Sequence, residues 1–407
     1  MSNTLTLGEL LVSVGGSIKT GPFGTTLKAS EYTDTGTPVI SVGEVGYGNI
    51  QLHERTPRVD DGVTSRLPEY VLRAGDIVFG RKGAVDRSAW VKPSEDGYFL
   101  GSDGIRVRVG AAASSRFIAY QLQSADVREW LTRHASGTTM LSLNQKTLER
   151  VELRVPPLSD QRAIAEVLGA LDDKIAANNR IGTITKDLLV AKFAQLGMDE
   201  FDREESRVSP INSLFHLNPS ERLQMSEHDP VYLEMKNLPA DQMTVSQWDR
   251  RAAKGGARFR NGDTLLARIT PCLENGKVGY VDFLADGDVG VGSTEFIVMR
   301  SRAGIPQSLP YFMAISSRFR EFAIRHMVGT TGRQRLAAAD VGLYEVAVPD
   351  QEDLDKFEVL AQPLMRRVKA AVDESRVLEK TRDELLPLLM SGKLRVKDAE
   401  KKVEAIV

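Results

Sequence analysis

The stretch from Pro156 to Leu196 leaves the chain the fewest options. Ile164, Val167, Leu168, Leu171, Ile175, Ile181, Ile184 and Leu188 fall three or four apart, the spacing of one helix face. Pro156 and Pro157 cannot extend a helix from within, Ser159 or Asp160 can cap its first amides, and Gly197 stands where a left-handed terminal residue is wanted. A helix over 159–196 is roughly 57 Å long at about 1.5 Å per residue, which makes it a strut. A second strut is expected over 350–391, where Phe357, Leu360, Leu364, Val368, Ala371, Leu378, Leu385 and Leu389 keep the same spacing and Gly392 ends the run. Each strut has a single apolar seam. The economical arrangement buries the seams against each other, with Ile164, Leu168, Leu171 and Ile175 facing Leu360, Leu364, Leu378 and Leu385.

What the struts separate is written twice. Arg133–Thr139 (RHASGTT) returns as Arg325–Thr331 (RHMVGTT), a shift of 192 with five of seven residues identical. Pro38-Val39 matches Pro230-Val231, Gly75-Asp76 matches Gly262-Asp263, Gly101-Ser102 matches Gly292-Ser293, and Val155-Pro156 matches Val348-Pro349, all in the same order. The chain therefore reads domain, strut, domain, strut. The bounds are 1–155, 156–197, 198–348 and 349–396, with a charged tail over 397–407. In the first copy, 37–41, 70–71, 76–79, 89–91 and 105–109 read as strands, and 117–134 and 143–151 as helices. In the second, 231–234, 263–267, 278–283 and 295–299 read as strands and 309–326 as helical. The fold class is α+β: two repeated mixed α/β domains separated by two long antiparallel helices, with pseudo-twofold symmetry.

Several chemistries are excluded. A lone cysteine, Cys272, rules out a disulfide framework and a thiolate zinc site. His53, His134, His216, His228 and His326 lack metal-ligand spacing, so no metal is expected. Gly276-Lys277 and Gly392-Lys393 have Pro271 and Pro387 where a phosphate-binding loop needs glycine, and a serine nucleophile elbow is absent. Asn218-Pro219-Ser220-Glu221 only faintly resembles the Asn-Pro-Pro-aromatic signature of amino-methyltransferases, and no glycine-rich cofactor loop accompanies it. Asp172 and Asp173 adjoin on a helix and read as a solvated face. No catalytic residue and no cofactor is assigned. No apolar run of membrane-spanning length occurs and the start shows no secretory signal, so a cytoplasmic protein is expected. A net charge of −2 decides nothing about nucleic acid, since phosphate is bound by local basic surface.

What remains is a set of loops bearing donors and cations. Lys19-Thr20-Gly21-Pro22-Phe23-Gly24-Thr25 reads as a turn-forming loop whose glycines allow a ligand close to the backbone. Arg81, Lys82 and Arg87 follow a strand; Arg268 takes the place of Arg81 in the second copy, followed by Thr270 and Lys277. Thr138 and Thr139 close the first repeat motif, and Thr330, Thr331, Arg333, Gln334 and Arg335 follow the second. Hydroxyls, lysine and arginine bind phosphates, while arginine and glutamine can read guanine and adenine edges. Such loops in two domains on one rod point to two-site binding on an extended polymer.

Pro156-Pro157-Leu158 with Gln161, Ile164, Leu168, Leu171-Asp172 and Ile175 resembles the conserved helix of the specificity subunit of Type I restriction-modification systems. So do the Gly21–Gly24 loop, Gly75–Val78 with Arg81-Lys82-Gly83, and the ending Leu388–Leu394. The resemblance covers nearly the whole chain. It implies two target-recognition domains, each reading half of an asymmetric, interrupted site in double-stranded DNA. It also implies helices that set the spacer and dock two modification (methylation) subunits, which hold the methyl donor, and a separate restriction subunit with motor and nuclease activity. The chain itself would be non-catalytic. The second copy departs from the pattern: Pro349-Asp350-Gln351 replaces the expected Pro-Pro-Leu-x-x-Gln, and the Gly-Pro-Phe loop has no evident counterpart. Two other readings are a stand-alone DNA-modifying methyltransferase-like enzyme and a coiled-coil protein scaffold without DNA binding.

Overall fold

The computed structural model describes residues 3–137, 139–199, 207–223, 228–252, 255–330, 332–404 and 406. The chain divides into two compact units, one formed by residues up to Asp173 together with those from Leu378 onward, the other by Lys174–Val377.

The first unit is built on a four-stranded antiparallel sheet in the order Ser17–Thr20, Gly104–Arg108, Ile77–Gly80, Ser88–Trp90. Ile77, Val78 and Phe79 are fully buried, as a central strand covered on both faces requires. A second sheet runs Tyr32–Thr33, Arg58–Val59, Thr37–Ile40, Phe99–Leu100, its last pair parallel. Asn3–Thr6 pairs antiparallel with Glu152–Val155, the strand that leads into the first long helix.

The second unit repeats this plan. Phe215–Leu217, Phe296–Ser301, Thr264–Ala267 and Val278–Tyr280 form its four-stranded antiparallel sheet in the equivalent order. Val231–Leu233 pairs parallel with Gly290–Gly292, and Val208–Pro210 pairs with Glu345–Ala347 ahead of the second long helix. The repeated Gly-Asp pair now has a physical reason. Gly75 and Gly262 both take φ +91°, where a Cβ is strained, just before the central strand. The next residue closes the turn: Asp76 accepts the Arg73 N–H and Asp263 the Arg260 N–H, each at 2.8 Å. The same buried carboxylates take two guanidinium donors, from Arg108 at 2.7 and 2.7 Å and from Arg300 at 2.6 and 2.7 Å.

Several expected elements end earlier than the apolar pattern implies. The stretch 117–134 is two helices, Ser115–Leu122 and Ala125–His134, and 309–326 is likewise Leu309–Ile315 and Ser317–Arg325. In the second case the Ser316 hydroxyl takes the Phe319 N–H and starts a new helix, as serine side chains do at an N-cap. Helix over 143–151 shrinks to Gln145–Glu149 because Asn144 caps it, accepting the Thr147 N–H at 2.9 Å. Residues 70–71 are not a strand. Pro68–Tyr70 is a 3-10 turn, and only Val71 bridges Phe99, whereas in the second unit Ala257–Phe259 is a full strand beside Gly290–Gly292.

The long helices span Leu158–Gln195 and Gln351–Met390, and Gly197 (φ +65°) and Gly392 (φ +70°) end them left-handed. Ser159 and Asp160 do not cap the first helix; they lie inside its opening turn, and the Pro157 carbonyl takes the Asp160 and Gln161 N–H groups. The two helices run antiparallel within each unit: Asp172 meets Arg382 at 2.9 Å in the first, and Asn178 meets Glu374 at 2.7 Å in the second. Ile164, Leu168, Leu171, Ile175, Leu378 and Leu385 are buried, and Leu360 and Leu364 are partly buried against the second unit's core.

Beyond Ile175 the seam departs from the expected face. Ile184 and Leu188 are 60% and 41% exposed, while Asn178, Thr185, Leu189 and Phe193 are buried. The buried positions follow a 3.5-residue period that straight counting at 3.6 loses, and polar residues occupy it mid-helix. Of the two aspartates expected on a solvated face, Asp173 is exposed and Asp172 is half-buried. Asp172 accepts from Tyr120 and Arg382, and Asp173 forms an ion pair with Arg116 at 2.8 Å.

Gln161 is buried at the helix start, accepting the Ser114 N–H at 2.9 Å and donating to the Pro156 carbonyl at 2.8 Å. This pins the start of the helix to the body of the first unit. In the second unit Gln351 reaches the Gly304 carbonyl at 2.9 Å instead.

Candidate nucleic-acid interface

In each unit the central strand delivers an arginine to a hairpin tip. Arg81 follows Ile77–Gly80; its N–H donates to the Asp103 carbonyl and its own carbonyl accepts the Leu143 N–H, both at 2.8 Å. Ser136 and Ser142 pair at 2.9 and 2.6 Å and close a turn in which Gly137 takes φ +102°. Thr139 is exposed on that turn; Thr138 lies outside the described residues. The second unit has the same parts. Arg268 donates to the Glu295 carbonyl at 3.0 Å and accepts from Leu336 at 2.8 Å, and Val328 and Arg335 close the turn at 2.9 Å in both directions. Thr330, Arg333 and Arg335 are exposed there and Gln334 is half-buried; Thr331 lies outside the described residues.

The repeated motif thus has two jobs. Its Ser136-Gly137 and Val328-Gly329-Thr330 residues enter the hairpin turn. Its Arg-His part finishes the preceding helix: Arg133 and Arg325 approach Glu129 and Glu321 at 3.6 and 3.9 Å, while His134 and His326 lie against Trp130 and Phe322 at 4.0 and 3.9 Å.

The remaining candidate residues differ in how available they are. Phe23 is 52% exposed and lies 4.4 Å from the Arg81 guanidinium, a cation–π contact at the surface. Lys82 pairs with Asp103 at 3.0 Å, and Thr25 is exposed. Arg87 faces the Tyr47 ring at 5.4 Å, next to Arg128 at 4.1 Å. Burial raises the pKa of neighbouring Asp86, but hydrogen bonds from Tyr47 and Arg128 outweigh it and hold the carboxyl below its usual range.

Lys19 and Thr20 are not in a loop. They end the Ser17–Thr20 strand, where the Lys19 ammonium sits over Tyr70 at 4.7 Å and Thr20 accepts from Gln145 at 2.9 Å. Gly21 is a glycine for an internal reason: a Cβ there would lie 1.8 Å from the Gly101 carbonyl oxygen. In the second unit the Thr270 hydroxyl accepts the Gln334 N–H at 3.2 Å, and Lys277 donates to the Met235 carbonyl at 2.8 Å. Arg335 lies on Glu295 at 2.6 and 3.0 Å, and these hydrogen bonds raise its pKa further above the usual guanidinium value.

Sequence reasoning missed the second unit's counterpart to the Gly-Pro-Phe loop. Strand register supplies it. Ser17 pairs with Arg108 and His216 with Arg300, so Asn218-Pro219 stands where Lys19-Thr20 stands in the first unit, and Ser220-Glu221-Arg222-Leu223 is the counterpart of Gly21-Pro22-Phe23-Gly24. Asn218 takes φ +47° and exchanges hydrogen bonds with Val298, its N–H donating at 2.7 Å and its Oδ1 accepting at 2.9 Å. Asn-Pro is a turn signal, but only the register assigns it this place. Among the described residues no group of three or more histidine, cysteine or carboxylate side chains is placed to hold a metal ion, and no helix is long and apolar enough to cross a membrane.

Residues 18–185 match the family described as Type I restriction modification DNA specificity domain. The MjaIX Type I restriction enzyme specificity subunit of Methanocaldococcus jannaschii is 25% identical over 305 residues, 70% of each chain. The MjaVIII specificity subunit of the same organism is 24% identical over 361 residues, 80% of this chain and 77% of that one. Among solved structures, the Type I restriction-modification S subunit from M. genitalium superposes with a TM-score of 0.59 at 15% identity, covering 96% of both chains. That last likeness is one of fold.

Proposed function

For this chain, which belongs to the family of Type I restriction-modification specificity subunits, we propose that each of its two domains reads half of a bipartite, asymmetric site in double-stranded DNA. The observation that carries the reading is the strand-end arginine beside a hairpin tip, built twice on equivalent strands. Residues 1–155 and 198–348 are the target-recognition domains, 156–197 and 349–396 the spacer helices, and 397–407 the charged tail.

The tips place Thr139, Arg81 and Lys82 in one domain and Thr330, Arg333, Gln334 and Arg268 in the other against the duplex. Phosphate contacts set register and a few side chains read base edges. Phe23, Thr25 and Arg87 flank the first tip. Half-sites about one helical turn apart, roughly 10 base pairs, suit two equivalent domains on one duplex. The outer faces of the struts dock two modification subunits, which carry the methyl donor, and the assembly takes a restriction subunit in the cytoplasm. The chain itself performs no chemistry.

The test is to co-express the chain with its modification subunits and sequence the methylated positions in host DNA. A single two-part motif with an unread gap is expected. Methyl-donor binding by the purified chain alone would favour a self-contained methyltransferase instead. DNA retention indifferent to salt would favour a protein scaffold, because phosphate contacts release counterions and make affinity fall steeply with salt.

A further inference from the structure

An open cleft of about 410 Å³ in the second unit lies between the Asn218–Glu221 segment, Arg258, the strand-end Arg268 and Thr294. Its chemistry is that of an anion site. The Arg268 Nε is buried without a hydrogen-bond partner among the described residues, and the nearest carboxylate oxygen, on Glu295, is 4.0 Å away. Arg258 is held by one donor to the Glu221 carbonyl at 2.6 Å. The carboxylates nearby are already engaged: Glu221 by Arg300 and by Arg260 at 3.7 Å, Glu295 by Arg335. Ser220 and Thr294 add exposed hydroxyls at the rim.

Two occupants can be weighed, a nucleobase turned out of the helix and a backbone phosphate. A base needs an aromatic face to stack on. The one ring in the wall, Phe296, is 2% exposed and offers none. In the first unit the corresponding ground beside Arg81 is covered by Phe23. Among the described residues the second unit has no aromatic there, and its strand-end arginine opens onto the cleft.

We propose that this cleft is a phosphodiester-binding subsite, in which Arg258 and Arg268, with the Ser220 and Thr294 hydroxyls, grip one phosphate of the DNA strand read by the second domain. The subsite rests on the DNA-reading function above and adds three residues and a ligand class to it. A guanidinium pair on a phosphate fixes register without reading sequence.

The experiment uses the complex of this chain with its modification subunits and a duplex carrying the methylated motif. Single uncharged methylphosphonates are scanned through the second-domain half-site. The wild-type complex should lose about tenfold in affinity at one position, the loss expected for a charged hydrogen bond. Complexes with Arg258→Gln or Arg268→Gln should bind more weakly, be indifferent to that substitution, and show a log affinity against log salt slope shallower by about 0.9 per contact, with an unchanged methylated sequence. Ser220→Ala and Thr294→Ala, both at exposed positions, provide the same comparison if an arginine variant does not fold. No sensitive phosphate, undiminished sensitivity in the variants, or a changed half-site sequence would each overturn the subsite. A wild-type complex with no sequence preference at all refutes the DNA-reading function instead.

Discussion

Duplicating one heptad in both long helices should lengthen the rod without disturbing its seam. In the first helix the buried positions Leu171, Ile175, Asn178 and Thr185 follow a seven-residue frame, with Gly182 between the last two approaching Val368. Repeating 175–181 therefore inserts Ile175 and Asn178 again in frame. In the second helix Ala371, Ser375 and Leu378 are buried, so repeating 371–377 supplies a second Ser375 and a second Glu374 for the added Asn178. Seven residues add about 10 Å of helix, which corresponds to about three base pairs at 3.4 Å each.

The assay is sequencing of methylated positions in a host carrying the variant with its modification subunits. Both half-sites should keep their sequences while the unread gap grows by about three. A four-residue insertion into the first helix alone is the contrast. It rotates the following residues by about 40° and pulls Leu189 and Phe193, now 0% and 5% exposed, out of the second unit's core. At about 2–5 kcal/mol for each large apolar side chain lost, that variant should unfold its second unit. An unchanged gap in a folded double-heptad variant would refute the proposal that the long helices set the spacer.

Other consequences can be checked together. Gln161→Leu strands the Ser114 N–H that the glutamine now satisfies, so it should cost about 1–3 kcal/mol in thermal or urea unfolding of the first unit and leave the second unchanged. Burial pushes the Asp282 carboxyl up to about 7; Lys369 opposes the shift and Asp373 adds to it. The folded state then keeps a proton that the unfolded chain releases near pH 4, so stability should fall as pH rises from about 4 to about 7, by at most about 1.4 kcal/mol per pH unit. Asp282→Asn should flatten that slope in melting curves at pH 5 and pH 8, and a slope identical to wild type would count against it. Arg333→Ala, at an exposed tip, should reduce the salt slope of DNA binding at unchanged stability. Lys277→Ala should do the reverse, since its ammonium holds the Met235 carbonyl.

Legibility in the sequence tracked how local the determining physics is. Apolar spacing located both struts to within a residue at each end, and Gly197 and Gly392 end them as glycines in left-handed conformation should. The repeat of short motifs announced two copies of one fold. Gly75-Asp76 and Gly262-Asp263 recur because a left-handed turn and a buried carboxylate–arginine pair are needed twice. Three things were out of reach. The seam's drift past Ile175 depends on which partner residues Asn178 and Thr185 meet, so counting along one helix selected Ile184 and Leu188 wrongly. Lys19 and Thr20 looked like loop residues because glycine and proline follow them at once, yet their backbone pairs with Gly104–Arg108. The correspondence of residues 220–223 with the Gly-Pro-Phe loop has no residue in common to reveal it; pairing across the sheet alone makes it visible.

The most direct test of two domains reading one site is an exchange of residues 198–348 for the corresponding segment of a relative with a known methylation motif. The hybrid's methylated positions are then sequenced in host DNA. One half-site should change to the donor's while the other half-site and the gap stay as in wild type. A hybrid that methylates with both halves altered, or with neither altered, would contradict the account.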